Sequence, residues 1–184
     1  MHILIAPDSF KESLSAAQVA QALQTGFSQA LPDASFDLLP VGDGGEGTMT
    51  ALTAALGWAE FHHTVTGPFG QPVKMSYARN GQQALFEMAD LVGLASIPQE
   101  KRNPLAIETK GLGELILHLA EDGVRKILVG VGGSASNDGG IGLAAGLGYE
   151  FFDMDNHRLR PIGSSLGKVA RISAEQVPAF LKEV

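Results

Sequence analysis

Twice in this chain a short apolar run breaks into a glycine-rich loop containing Asp-Gly-Gly, and each time a helical pattern follows. The first instance is Asp43-Gly44-Gly45-Glu46-Gly47-Thr48. The second is Gly130-Val131-Gly132-Gly133-Ser134-Ala135-Ser136-Asn137-Asp138-Gly139-Gly140. A strand feeding a helix through a tight loop is the repeating unit of α/β folds. Residues 3–6 are a continuous apolar run, as in a strand covered on both faces. Ser15 and Gln18 have capping-box spacing, and Ala16, Val19, Ala20, Leu23 and Phe27 then recur at helical intervals. Residues 36–41 read as a second strand that Pro40 stops near its end. A helix over 48–56 is closed by Gly57 as a C-terminal cap. Residues 1–60 thus alternate β-α-β-α, as in an open parallel sheet.

The texture then changes. Residues 61–66 are β-rich, Gly67-Pro68-Phe69-Gly70 is turn chemistry, and Val73, Met75 and Tyr77 alternate with polar residues. Asn80-Gly81 predicts a hairpin with a type I′ turn, followed by a strand to about Met88. Antiparallel structure here places a domain boundary near residue 65, giving segments 1–64 and 65–184. Beyond it the pattern predicts a helix over 113–121 capped by Gly123 and a strand over 126–131. After the second glycine loop come a small-residue helix over 141–147 and a strand over 149–153. The tail after Arg160 has weak periodicity.

Composition excludes several functions. Lys and Arg total 13 against 20 for Asp and Glu, a formal charge of −7, and no basic run stands out, so nucleic acid is not an expected partner. Any anionic ligand must be held by local features rather than by a positive field. Cysteine is absent, which removes disulfides and thiolate zinc sites. No apolar run is long enough to span a bilayer, and the first residues read as a strand rather than a leader, so a soluble cytoplasmic protein is expected.

Three loops carry residues suited to chemistry. In the second glycine loop, backbone N–H groups and a helix start converge where a phosphate or carboxylate would sit. Gly132 and Gly133 clear the approach, Ser134, Ser136 and Asn137 add hydrogen-bonding groups, and Asp138 is a candidate ligand for nucleotide-bound magnesium. The plainer reading is a turn that needs glycine for its dihedrals. The loop is not a phosphate-binding P-loop, because it lacks Gly-Lys-Ser/Thr. It does match a dinucleotide fingerprint through Gly130, Gly132 and Ala135, with Asp155 placed as a ribose-binding acid, so an NAD(P)-dependent oxidoreductase is an alternative. In the first glycine loop, Asp43 and Glu46 are suited to holding magnesium or accepting a hydroxyl proton, or else to capping the loop and helix. In the third, after the first strand, Asp8 is suited to base or metal work and Lys11 to neutralising a phosphoryl group or carboxylate, unless both are simply solvated. Glu87 and Asp90 either line a cleft or face solvent. On a β segment the rings of His62 and His63 should point to opposite faces.

Read in order, these loops resemble the glycerate kinase family, of the bacterial glycerate 2-kinase type. The matching stretches are Ala6-Pro7-Asp8-Ser9-Phe10-Lys11-Glu12-Ser13-Leu14-Ser15-Ala16, residues 43–48, Val65-Thr66-Gly67-Pro68, Arg102-Asn103-Pro104-Leu105, Gly113-Glu114-Leu115-Ile116 and residues 132–140. The resemblance covers the family's N-terminal half. It implies a Rossmann-like parallel-sheet domain plus a second α/β domain with a mixed sheet, truncated relative to the family, with the site between them. The implied activity is transfer of a phosphoryl group from ATP, with Mg, to D-glycerate, most naturally giving 2-phosphoglycerate. In that setting Lys11 is the cation, Asp8 and Asp43 are base or magnesium ligand, and Glu46 supports them. Ser9, Arg102 and residues 132–138, Ala135 among them, would bind phosphate or the glycerate carboxylate. An incomplete first domain would expose sheet edge and apolar helix face, which favours association into a homo-oligomer or else instability. A non-catalytic remnant that binds an organic acid is the remaining alternative.

Overall fold

The capping box that the sequence predicts does form. The Ser15 hydroxyl accepts from the Gln18 N–H at 3.3 Å, and the Gln18 side chain accepts from the Ser15 N–H at 2.9 Å. Two amides that a helix start would leave unpaired are thereby satisfied. The computed structural model describes residues 1–10 and 12–184. In it, α1 (Ala16–Ala30) carries the chain from β1 (His2–Ile5) to β2 (Ser35–Leu38), and the two strands pair in parallel. Regular pairing ends before Pro40, which has no N–H to donate. Two more amides, those of Leu39 and Val41, still reach the carbonyls of Ile5 and Pro7. The chain is therefore held together up to the point where Asp8 and Asp43 leave the same sheet edge.

The face of α1 is only half covered. Ala16, Val19 and Ala20 are buried, whereas Leu23 and Phe27 are 41% and 42% exposed. The sheet beneath has two strands, so it runs out before the helix does.

The second sheet is mixed, in the order β3 (Ala59–Thr66), β4 (Pro72–Asn80), β5 (Gln83–Glu87), β6 (Lys126–Gly130). The first three strands are antiparallel, and β5 and β6 are parallel, as a long helical crossover requires. Asn80 pairs with Gln83, so the central turn residues are Gly81 and Gln82 rather than Asn80 and Gly81. Only Gly81 has positive φ, at 58°, which is the type II′ pattern and corrects the expected type I′ turn. The strand expected to reach Met88 ends one residue earlier, because α3 (Met88–Val92) turns inward and buries Ala89, Leu91 and Val92.

Alternation along β5 serves two layers. Ala84 and Phe86 join the main core with Met75, Leu112, Leu115 and Leu119, while Leu85 faces the other way with Ala78. The main core is closed by α4 (Lys110–Glu121), which starts three residues before its expected position and is followed by Gly123 at φ 85°. The opposite face is covered by α2 (Thr48–Leu56) through Met49 and Leu52, with Trp58 beside them. Gly57 ends α2 in the left-handed conformation, as expected. Near the end of the chain β7 (Glu150–Phe152) and β8 (Arg171–Ser173) pair antiparallel across a long connection, residues 153–170; β8, three residues in an aperiodic tail, had no sequence signal. Among the described residues, no helix is long and apolar enough to cross a membrane.

Helix α4 meets α5 (Ile141–Gly146) backbone to backbone. A Cβ on Gly113 would run into the Leu143 carbonyl and lie 2.9 Å from the Gly146 Cα. We expect Gly113→Ala to destabilise the chain by about 2 kcal/mol, measured by urea denaturation, because a backbone carbonyl cannot rotate aside. An unchanged midpoint would mean the two helices are not locked at this point.

Where α4 lies against β3 the rings of His63 and His118 stack with centroids 3.7 Å apart, while His62 is exposed. Burial, then the neighbouring His118, holds His63 below its ordinary value of 6.5, with Glu114 opposing. A histidine depressed in the folded state contributes stability above its unfolded value. That contribution should decline as pH falls from 6.5 through the depressed value. Thermal melting should therefore show a smaller acid loss for His63→Phe than for the unsubstituted chain; an equal loss would clear the stack of any role.

Candidate functional site

Three loops and one interior segment converge beyond the carboxyl ends of β1, β2, β5 and β6. This is the edge where open α/β sheets bind ligands. The first two loops touch through backbone: the Gly132 N–H donates to the Gly44 carbonyl at 2.8 Å. A Cβ on Gly132 would lie 2.6 Å from the Gly45 nitrogen, and one on Gly130 would lie 2.7 Å from the Gly44 oxygen. Only glycine allows this approach. Gly130 and Gly132, which match a dinucleotide fingerprint, are therefore occupied by a neighbouring loop. Asp155, its proposed acid, sits in an exposed turn and donates its N–H to the Asp153 carboxylate at 3.0 Å.

The first loop is shaped by its own side chains. Asp43 Oδ1 accepts from the Gly45 N–H at 2.9 Å, and the Thr48 hydroxyl accepts from the Gly44 N–H at 3.0 Å. Below the loop, Glu87 is 6% exposed at the end of β5. Its carboxylate accepts from the Gly47 N–H at 3.2 Å and from the Met49 N–H. Burial pushes the Glu87 carboxyl above the usual range, and the two amide bonds oppose that shift.

A cavity of ≈ 140 Å³ lies in the angle between the loops, and Asp8, Ser9, Glu12, Asp43, Glu46, Arg102 and Gly133 all reach its wall. Six of these were singled out from the sequence. Glu12 is the wall residue to which sequence reasoning assigns no role. Its backbone has φ 59°, a left-handed conformation uncommon outside glycine, and its carboxylate accepts from Arg102 Nη2 at 2.8 Å. The Arg102 guanidinium is further fixed by the carbonyls of Leu94 at 2.8 Å and Ile97 at 3.0 Å. Lys11 lies outside the described residues. A larger groove of ≈ 520 Å³ adjoins the cavity, sharing Ser9, Glu12 and Glu46 and reaching Glu87 and Asp90.

The rest of the second loop turns away from the cavity. Ser134 and Ser136 hydroxyls share a bond of 2.8 Å, the Ala135 N–H goes to the Val92 carbonyl at 2.7 Å, and the Asn137 N–H goes to the Pro104 carbonyl at 3.1 Å. Asp138 is buried, and both its oxygens are taken. Oδ1 accepts from the Gly140 N–H at 2.9 Å, and Oδ2 accepts from the Thr109 hydroxyl at 2.5 Å and the Gly142 N–H at 3.2 Å. This carboxylate shapes the start of α5 against α4.

Among the described residues at the cavity, four carboxylates (Asp8, Glu12, Asp43, Glu46) face one guanidinium. This oxygen-rich set could ligate a hard cation only together with ligands from elsewhere, such as nucleotide phosphates, because no three of its carboxylates come close enough to hold one by themselves. Without a cation it would repel a phosphate.

The whole chain matches known proteins. A model of the glycerate kinase family fits residues 3–184. A glycerate kinase from Neisseria meningitidis serogroup B is 57% identical over 175 residues, covering 95% of this chain and 47% of that protein. The glycerate 2-kinase of Escherichia coli K12 is 45% identical over 185 residues, covering 100% of this chain and 49% of that protein. The crystal structure of a putative glycerate kinase 2 from Salmonella typhimurium LT2 superposes with a TM-score of 0.75 at 42% identity, covering 100% of this chain and 50% of that one. The chain spans about half the length of the curated relatives it matches.

Proposed function

This chain belongs to the glycerate kinase family, and we propose that it supplies one wall of a site that transfers a phosphoryl group from ATP to D-glycerate. The observation that carries this reading is the convergence of Asp8, Asp43, Glu46, Arg102 and Gly133 on one cavity at the sheet edge. Phosphoryl transfer needs alignment and charge neutralisation more than covalent help from the protein. Carboxylates and a cation on a rigid edge answer that need.

In this reading Asp43 or Asp8 accepts the proton of the attacking glycerate hydroxyl, and the other orients it with Ser9. Both carboxylates keep one oxygen outside the protein hydrogen bonds described above, since Asp8 accepts from the Ser9 N–H through Oδ1 alone. Arg102, already fixed by two carbonyls and Glu12, binds the substrate carboxylate or a phosphate oxygen. Lys11 neutralises the transferring group. Magnesium, when bound, would be held by Asp43 with support from Glu46 and would offset the charge of the nucleotide phosphates. The proposed product is 2-phosphoglycerate, which follows the activity named for the Escherichia coli relative. The two units expected as 1–64 and 65–184 are proposed to meet earlier, at the start of β3 (Ala59), since that strand pairs with β4 along its whole length, and the cytoplasm, where ATP is supplied, is the implied setting. Pairing of two chains would cover the outer face of α1, where Leu23 and Phe27 stand exposed.

The test is ADP release by the 184-residue chain with D-glycerate, ATP and magnesium. Turnover supports the reading, and Lys11→Ala should then lower kcat by about tenfold or more. Asp43→Asn should weaken the response to magnesium. Activity in Lys11→Ala equal to the unsubstituted chain would remove Lys11 from the mechanism, and binding of NAD in place of ATP would overturn the kinase reading.

A further inference from the structure

Glu87 has no place in the chemistry above, yet it is among the most protected carboxylates of the chain. It lies forty positions from the loop whose amides it holds, on a different sheet segment. Three observations meet at this residue. It ends β5 opposite Gly130, the residue that opens the second glycine loop. A Cβ on Gly130 would lie 3.3 Å from the Glu87 Cγ, so the acid's stem packs against that backbone. Its two carboxylate oxygens accept from Gly47 and Met49, at the start of α2 and directly after Glu46. The side chain thus touches both loops that wall the cavity.

The energetics favour a positioning role over a merely structural one. Removing a carboxylate from water is expensive and is offset only by well-made hydrogen bonds. A neutral cap such as Ser or Asn on Gly47 itself would satisfy a helix start locally. Position 47 is instead glycine at φ 90° and gives no side-chain cap. The cap comes from the far side of the cleft floor, so the helix start and the loop before it are tied to β5.

We propose that Glu87 is a positioning residue for the first glycine loop: its carboxylate clamps the start of α2 to the end of β5 and so sets where Asp43 and Glu46 stand relative to Gly133 and Arg102. The proposal rests on the reading that this loop takes part in phosphoryl transfer, and its test separates the two. Glu87→Gln keeps the size of the side chain but turns one acceptor oxygen into a donor facing an N–H. Hydrogen exchange of the Gly47 and Met49 amides, followed by NMR in the 184-residue chain, should quicken by about tenfold or more, while the β3–β4 hairpin keeps its protection. In the ADP-release assay kcat should fall by about tenfold or more, with KM for D-glycerate changed less. Glu114→Gln is the comparison, because Glu114 accepts from the Thr66 N–H and hydroxyl at 2.6 and 2.8 Å, away from both loops. It should lower the melting temperature and leave kcat intact. Should Glu87→Gln fail to fold, Glu87→Asp retains the charge one methylene short and should show the same changes in smaller degree. Unchanged exchange at Gly47 and Met49 would overturn the clamp, and faster exchange with kcat intact would overturn the positioning role. If the unsubstituted 184-residue chain releases no ADP, the kinase reading of this chain fails, and exchange alone decides whether Glu87 holds the loop.

Discussion

A single backbone hydrogen bond, from the Gly132 N–H to the Gly44 carbonyl, is the contact on which the candidate site depends. It joins a loop that follows β2 to one that follows β6, strands that belong to different sheets. No side chain intervenes, because a Cβ at Gly132 would fall 2.6 Å from the Gly45 nitrogen. The two loops can approach this closely only as glycine, and their approach sets the angle in which the cavity forms. Glu87 fastens the same pair from below, and Pro7 and Val41 bring Asp8 to the same edge from the side. The loop backbones and the Glu87 side chain beneath them together place the carboxylates, and Asp8 and Asp43 each keep one oxygen outside the protein hydrogen bonds described above.

The charge arrangement gives that geometry its chemical direction. Carboxylates outnumber described cations on the cavity wall, so an anionic phosphate enters only with positive charge of its own or with Lys11. A nucleotide carrying magnesium meets this condition. Substrate carboxylate and phosphate would otherwise be repelled by Asp8, Glu12, Asp43 and Glu46 together.

Local features were legible in the sequence because they depend on near neighbours. The Ser15–Gln18 capping box, the left-handed Gly57 and the alternation through Val73, Met75 and Tyr77 are each fixed within a few residues. The hairpin was legible but its turn type was not, since the choice between two central pairs is made by the register that sets Asn80 against Gln83. The inward turn at Met88 was lost because an apolar run reads equally as strand or buried helix. In the site, Asp8, Asp43 and Glu46 were visible as types suited to the chemistry, whereas Ser9 and Arg102 entered through the family resemblance. The clamp by Glu87 was not, because it links residues forty apart. The glycines of the second loop were legible as close-approach positions, but what approaches Gly132 is the other loop, while Gly133 is the one that reaches the cavity.

The central claim is that both glycine loops form one ligand site. The most direct measurement is an amide chemical-shift map of the chain titrated with D-glycerate and the magnesium complex of a non-hydrolysable ATP analogue. Concerted shifts are expected at Gly44, Gly45 and Gly47 in one loop and at Gly132 and Gly133 in the other. Shifts confined to one loop, or lying instead around the β7–β8 pair, would contradict a single site spanning both loops.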